Sequence, residues 1–261
     1  MIKFFRKIRY DLMEKNPTSA KASAGEKTGK YLKYAIGEIV LVVIGILIAL
    51  SINNWNERRK AVKQEIKILS ELKNDLKTNL DEITETYNTT LTRQNSTDLI
   101  LDYFENKKPV DDSLKMAFEN IIMDGLFNIA NTTYKFIESQ GINTLSNDSL
   151  RIRITEMYER HLKNIITRET RNWKIVDEEL LPYMNQRFIS TPTIDKSASY
   201  ANDNLNMPKH IESLRDDSTF RNSIIRLQGW LLVRLNWQNE AYSVLEKLIS
   251  DVQQEIDRLN N

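Results

Sequence analysis

Few residues in this chain of 261 have the types and spacing that chemistry requires. There is no cysteine, which excludes a thiol nucleophile, a disulfide framework and a cysteine-based zinc cluster. The two histidines, His161 and His210, both lack the preceding Glu at three residues that a di-iron helical bundle needs. His161 lies beside an apolar stripe, which predicts a packed or half-exposed side chain rather than a metal ligand. We therefore predict no catalytic, cofactor-binding or metal site, and a protein that is not an enzyme.

Glu38 stands out because it is the one charged residue in an otherwise apolar segment. A carboxyl group within an apolar membrane segment is unfavourable and is therefore a functional candidate. The alternative is that Glu38, only one turn from the Tyr34 end, reaches the membrane interface or is protonated. Gly37 and Gly45 are eight residues apart, and Gly45 and Ala49 are four apart. Small residues at such spacings allow two helices to approach closely. We predict that Gly37, Glu38, Gly45 and Ala49 pack against a partner helix.

The element that must position these residues is a membrane-spanning helix over residues 34–52. Nineteen helical residues span roughly 28 Å, close to the ~30 Å hydrocarbon core of a bilayer. Tyr31 and Tyr34 at one end and Trp55 at the other are expected to anchor the helix at the headgroup level. The alternative is a signal peptide cleaved near Ala49. However, the apolar run begins far into the chain and is longer than most signal cores.

The charges on either side of this helix predict its orientation. Residues 1–33 carry nine Lys or Arg against three acids, whereas residues 53–261 carry 28 against 32. A short basic arm tends to stay in the cytoplasm, so the N-terminus is predicted inside and the large domain outside. The basic residues just after the span count in the opposite direction; they are Arg58, Arg59, Lys60, Lys63 and Lys67.

An apolar repeat continues beyond the span. From Gly45 to Tyr87, residues recur at alternating spacings of three and four, and only Arg59 and Lys73 among them are charged. This repeat predicts one helix over about residues 34–88 and is typical of left-handed helix packing, as in a coiled coil. The stripe packs either in the core of its own chain or against a second chain.

The remaining sequence predicts further helices and no strand. Helical stretches are expected at residues 96–105, 112–123, 128–139, 146–182 and 218–259. Residues 188–217 show no helical period and exceed the usual length of a bundle connection, so they form either a binding loop or a linker. The fold class is therefore all-α, with an antiparallel helical bundle after the long helix. We divide the chain into a basic cytoplasmic arm (1–33), the transmembrane helix (34–52), a long amphipathic helix (53–90) and the bundle (91–261).

Several stretches carry a resemblance to a known family. They are M-I-K-F-F-R-K-I-R at residues 1–9, K-Y-L-K-Y-A-I-G-E-I-V-L-V-V-I-G-I-L-I-A-L-S-I-N-N-W-N-E at 30–57, E-I-K-I-L-S-E-L-K-N-D-L at 65–76 and T-Y-K-F-I-E-S-Q-G at 133–141. The chain resembles a domain-of-unknown-function family of uncharacterised single-span membrane proteins of the Bacteroidota, and departs from it at residues 16–29, which lengthen the arm. The resemblance implies an inner-membrane protein of a Gram-negative cell and supplies no activity.

The functional expectation follows from the long helix and the lack of a catalytic set. We expect a non-enzymatic interaction or scaffold module facing the periplasm. Its partners would be the lipid bilayer and either another protein or a second copy, bound through the transmembrane and following helix. Basic residues at 151–171 alternate with acids, so no nucleic-acid binding is expected. The alternative is a ligand-sensing bundle that signals through a partner protein, because the short arm cannot hold a signalling enzyme.

Overall fold

The protein is described by a computed structural model that covers residues 24–123, 127–141, 144–190 and 205–261. The chain divides into two units, Met1–Ala61 and Val62–Asn261. Helix α1, Ala24–Glu105, contributes residues to both. The basic arm up to residue 23, the side chains of Tyr31 and Tyr34, and loop residues 191–204 lie outside what the structure describes.

The described part of the first unit is the beginning of α1. Every side chain from Ala35 to Ala61 is exposed, and the large apolar ones between Ile36 and Ile52 are 46–63% exposed. An apolar helix with no polar face is suited to a bilayer rather than to a water-facing surface. By length and composition this helix is a possible membrane span.

The second unit is a helical bundle with four layers. The first layer is α1 from Val62, and the second is the pair of short helices α2 and α3. The third is a run of helical segments, α4 to α6, joined by two π-helical turns, π1 and π2. The fourth is α8. Their bounds are α2 (Asp112–Ile121), α3 (Thr132–Gln140), α4 (Asp148–Glu156), π1 (Met157–Leu162), α5 (Lys163–Ile175), π2 (Val176–Leu180), α6 (Leu181–Arg187), β1 (Phe188–Ser190), β2 (Leu205–Pro208), α7 (Ile211–Arg215) and α8 (Ser218–Asn260).

Successive layers run in opposite directions, and the first and fourth layers, which also contact each other, are antiparallel as well. Side-chain contacts near the ends of the helices show this. Arg221, near the start of α8, lies 2.7 Å from the carboxylate of Glu105 at the end of α1. Asn147, which caps the start of α4, donates at 2.9 Å to Glu255 near the end of α8. The second layer contacts the earlier part of α1 through Thr133 of α3, whose backbone N–H donates to the Asp75 carboxylate at 2.9 Å. The predicted all-α fold with an antiparallel bundle is therefore confirmed.

The bundle contains two apolar cores. The first core is built from α1, α3, α4, π1, α5 and the second half of α8; it includes Leu69, Leu72, Leu76, Ile83, Ile137, Ile154, Leu162, Leu245, Leu248 and Val252. The second core is built from the end of α1, α2, the end of α5, π2, α6, β1, α7 and the first half of α8; it includes Ile100, Phe104, Phe118, Val176, Met184, Phe188, Phe220, Ile224, Leu227 and Leu231. Burial of these side chains supplies the main driving force for folding.

Helix α1 extends beyond the boundary predicted near residue 90. It continues to Glu105, so residues 96–105 are its last turns and not a separate helix. The predicted stripe is also displaced: Leu80 and Tyr87 are half-buried, whereas Asn79 and Thr86 are buried. The apolar pattern stops near residue 88 because the buried positions that follow are polar. The helix itself does not stop there.

The third layer differs from expectation at Pro182. The sequence predicted a helix ending near this proline, but the helical run continues to Arg187. Pro182 lies in the first turn of α6, directly after the π-helical turn π2. Proline cannot donate the backbone hydrogen bond of a regular helix, but the preceding π-helical turn already interrupts the regular hydrogen bonding there, so the helical run continues through Pro182.

The described residues of the segment 188–217 form short elements that the sequence analysis did not expect. Strands β1 and β2 pair antiparallel, with Phe188 opposite Pro208 and Ile189 opposite Met207, and α7 follows. The Phe188 side chain is buried and packs edge-on against Phe118, with ring centroids 4.9 Å apart. Strands of three and four residues are too short to show a recognisable alternation in sequence.

Candidate functional site

The residues predicted to contact a partner helix divide into two sets on α1. At 100° per residue, Gly45 and Ala49 lie seven and eleven positions after Glu38, which brings all three within about 20° of one face. Gly37 precedes Glu38 by one position and therefore lies about 100° away. We call the side that carries Glu38, Gly45 and Ala49 the Glu38 face. It is exposed throughout, and a Cβ atom added at Gly45 would meet nothing within 4 Å.

Asn56 also belongs to the Glu38 face, and the sequence analysis missed it. It lies eighteen residues after Glu38, which is five full turns of an α-helix. The Asn56 side chain is exposed. Counting positions around the helix from Glu38 would have found it. The face thus begins and ends with a polar side chain, and small residues lie between them.

Of the predicted membrane-interface anchors, only Trp55 has a described side chain. It is 62% exposed. The guanidinium group of Arg59 lies over its indole ring, 5.6 Å from the ring centroid. Tyr31 and Tyr34 are residues of helix α1, and their role as membrane-interface anchors stays a prediction.

A second candidate site lies inside the bundle, between the two apolar cores. We call it the polar layer. It contains Thr86, Thr90, Arg93 and Thr97 from α1, Glu169 and Asn172 from α5, and Arg234 and Gln238 from α8. All of these side chains are buried. The sequence analysis found none of them, because it treated polar residues in helices as surface.

Glu169 is the centre of this layer. Both of its carboxylate oxygens accept from the backbone N–H of Phe127, each at 3.1 Å. One of them also lies 3.1 Å from the guanidinium of Arg234, in a pair whose side chains are 9% and 2% exposed. Such a buried pair is held strongly, because removing one charge leaves the other in a poorly solvated place.

The polar layer faces the break between α2 and α3, which explains much of its chemistry. Backbone groups outside a helix need partners when they are buried. Arg93 donates to the carbonyl oxygen of Ile121 at 3.2 Å. Nearby, the Asn79 amide pairs with both the N–H and the carbonyl of Ala130, at 2.8 and 2.9 Å. These side chains replace the hydrogen bonds that a continuous helix would have made.

Two amides in the polar layer are less well satisfied. Asn172 is 1% exposed, and neither its amide oxygen nor its amide nitrogen has a hydrogen-bond partner within the described structure. Gln238 donates to the Thr86 hydroxyl at 3.2 Å, but its own amide oxygen is without a partner there. A buried polar group without a partner destabilises a fold by about 1–3 kcal/mol, so these two amides lower the stability of the polar layer.

In the bundle, the tyrosine pKa values that are shifted are raised and the carboxyl pKa values that are shifted are lowered, so all of them lie further from 7 than usual. Burial raises the pKa of Tyr134 to about 12, and it also raises the pKa of Tyr158, whose ring stacks on Tyr134 at 4.4 Å. The hydrogen bond from Arg258 lowers the pKa of the Glu255 carboxyl. Each group therefore keeps its usual protonation state at pH 7, whereas a general acid or base needs a pKa near the working pH.

The histidines occupy ordinary positions. His161 lies in π1, is 6% exposed, and its Nδ1 is 3.6 Å from the Glu240 carboxylate. His210 is exposed. Within the described residues, no group of three His, Asp or Glu side chains is arranged to hold a metal ion.

Comparison with known protein families assigns the chain to one of them. Residues 38–203 match DUF6090, a family of unknown function. The chain belongs to this family. The DUF6090 match begins at Glu38 and extends past β1, so it joins most of the apolar helix to the first three layers of the bundle. No curated protein and no solved structure matches the chain.

Proposed function

We propose that this DUF6090 protein is a single-pass membrane protein whose helical domain works through protein contacts rather than catalysis. The Glu38 face carries the proposal. A charged side chain at the centre of a membrane helix is unfavourable by roughly 2.5–3.5 kcal/mol, so a partner helix that offers a hydrogen-bond donor would stabilise the Glu38 carboxyl group. Gly45 and Ala49 on the same face would let the backbone of that helix approach closely.

The location follows from the charges around the span. The basic arm favours a cytoplasmic N-terminus, which would place the bundle in the periplasm of a Gram-negative cell, with the span in the inner membrane. The displaced pKa values support a non-catalytic role, because the tyrosines and carboxylates they concern are kept in their usual protonation states at neutral pH.

One experiment tests location and contact together. The intact protein is fused at its C-terminus to alkaline phosphatase, expressed in a Gram-negative host, and extracted in mild detergent for pull-down and mass spectrometry. We expect active phosphatase in the membrane fraction, and either a second copy or a reproducible membrane protein in the pull-down. A fusion that is inactive, but fluorescent when green fluorescent protein replaces the phosphatase, would reverse the topology. A pull-down with no partner would refute the contact role.

A second candidate function, ligand sensing, is favoured by the unpartnered Asn172 amide. A small polar molecule bound at Asn172 would supply the missing hydrogen bonds. We then expect the purified wild-type protein to release such a molecule on denaturation, in roughly equimolar amount by mass spectrometry, and the Asn172→Leu variant to release none. Asn239→Leu, an exposed site on α8, is the control. Release of nothing from the wild type would end the sensing hypothesis.

A further inference from the structure

We infer that Trp55, Arg58 and Arg59 form a binding site for the phosphate groups of anionic phospholipids, in the membrane leaflet on the bundle side of the span. The inference rests on the membrane anchoring proposed above. The proposed partner is lipid phosphate, and none of the three residues belongs to the Glu38 face.

The distances along α1 fit this role. Trp55 lies three residues after Ile52, the last apolar residue of the span, which is about 4.5 Å along the helix axis. Arg58 and Arg59 lie about 9–10 Å after Ile52. The headgroup layer on each side of the hydrocarbon core is roughly 5–8 Å thick, so the two arginines begin at its outer edge.

The direction of the side chains brings the arginines back toward the bilayer. Side chains on an α-helix lean toward its N-terminus, and here the apolar segment lies on that side. The structure shows this for Arg59, whose guanidinium group reaches back over the Trp55 ring at 5.6 Å. Long basic side chains that lean in this way place their charge at the phosphate level while their stems contact apolar groups.

The charges around the helix leave the two arginines available. Glu57 is the one acid among residues 53–61, and it lies about 200° around the helix from Trp55. It pairs with Lys60 at 3.0 Å. Arg58 and Arg59 lie about 60° and 40° to either side of Trp55, are exposed, and make no ion pair within the described part of the chain. Guanidinium groups bind phosphate in a bidentate geometry, which favours phosphate as the ligand.

Lipid selectivity of the full-length protein tests the inference. The protein is reconstituted into phosphatidylcholine vesicles, and spin-labelled phosphatidylglycerol or phosphatidylcholine is added in trace amounts. Electron paramagnetic resonance then gives the immobilised fraction of each lipid. We expect the wild type to prefer phosphatidylglycerol. We expect Arg58→Gln with Arg59→Gln to lower that preference by about fivefold for each arginine removed.

Two further variants separate a built site from net charge. Arg58→Lys with Arg59→Lys keeps the charge but removes the planar guanidinium groups, so a built phosphate site should lose a clear part of the preference, whereas net charge alone would keep all of it. Arg160→Gln with Lys163→Gln removes the same charge from the bundle surface, where both residues make exposed pairs with acids, and should change nothing. Unchanged selectivity in the Arg58/Arg59 glutamine variant, or equal loss in the bundle control, would overturn the inference alone. A wild type that does not float with the vesicles would overturn the anchoring as well.

Discussion

Gly45→Leu is expected to disrupt the partner contact of the span, whereas Gly37→Leu is expected to leave it intact. The two substitutions are chemically identical, and an added Cβ meets nothing within 4 Å at either position, so the isolated helix tolerates both. Only Gly45 lies on the Glu38 face. Forcing a bulky side chain into a close helix contact destabilises it by about 1–3 kcal/mol, which weakens binding by about 5- to 150-fold.

The measurement is co-purification in mild detergent, with two differently tagged copies expressed together and the bound proteins identified by mass spectrometry. Glu38→Gln should reduce the same partner as Gly45→Leu does, while the unfolding temperature of the bundle stays unchanged. Equal binding by the two leucine variants would show that the Glu38 face is not the contact. Equal loss in both would show that a bulky side chain on any side of the helix weakens the contact, and that the contact is not confined to the Glu38 face.

Glu169→Leu should destabilise the bundle by about 3–5 kcal/mol, the range typical of breaking a buried ion pair from one side. The substitution removes both the carboxylate that contacts Arg234 and the acceptor of the Phe127 N–H. Urea unfolding of the purified protein, followed by circular dichroism, gives the free energy of unfolding. Glu156→Leu is the matched control, because Glu156 pairs with Arg160 on the surface at 3.4 Å and such pairs contribute at most about 1 kcal/mol.

The double variant Glu169→Leu with Arg234→Met completes a thermodynamic cycle. If the pair is the reason for the loss, the double variant should be less destabilised than the two single variants added together. Purely additive effects would mean that the two charges do not depend on each other. In that case Glu169 would stabilise the bundle through contacts other than the pair with Arg234, such as its hydrogen bonds from the Phe127 N–H.

The apolar elements were readable from the sequence because burial and apolar spacing coincide there. The candidate span, the long helix over residues 34–88 and the all-α class all rest on such spacing, although that helix begins ten residues earlier than predicted, at Ala24. The helix predicted at residues 128–139 is matched at its end by α3, which Gly141 caps with a φ of 91°, in the left-handed region that glycine adopts readily.

The polar layer could not be predicted from the sequence, although the buried residues of α1 keep the same three-and-four spacing through it. Thr86, Thr90, Arg93 and Thr97 follow each other at intervals of four, three and four, but a search for apolar residues cannot recognise them as buried. Glu169 and Arg234 are 65 residues apart, and no local pattern connects them. The sequence predicted a break between the helices at 112–123 and 128–139, but which side chains of other helices lie against that break depends on the tertiary structure.

The share of both cores that α8 supplies has a consequence for how the chain is synthesised. The helix contributes Ile224 and Leu231 to the second core and Leu245 and Val252 to the first. It follows every other helix of the bundle, so a growing chain exposes two incomplete apolar surfaces until the ribosome has made α8. Chains generally fold as they emerge, and exposed apolar surface at this stage favours aggregation. Ribosome stalling before α8 would therefore yield a product that depends on chaperones or is degraded.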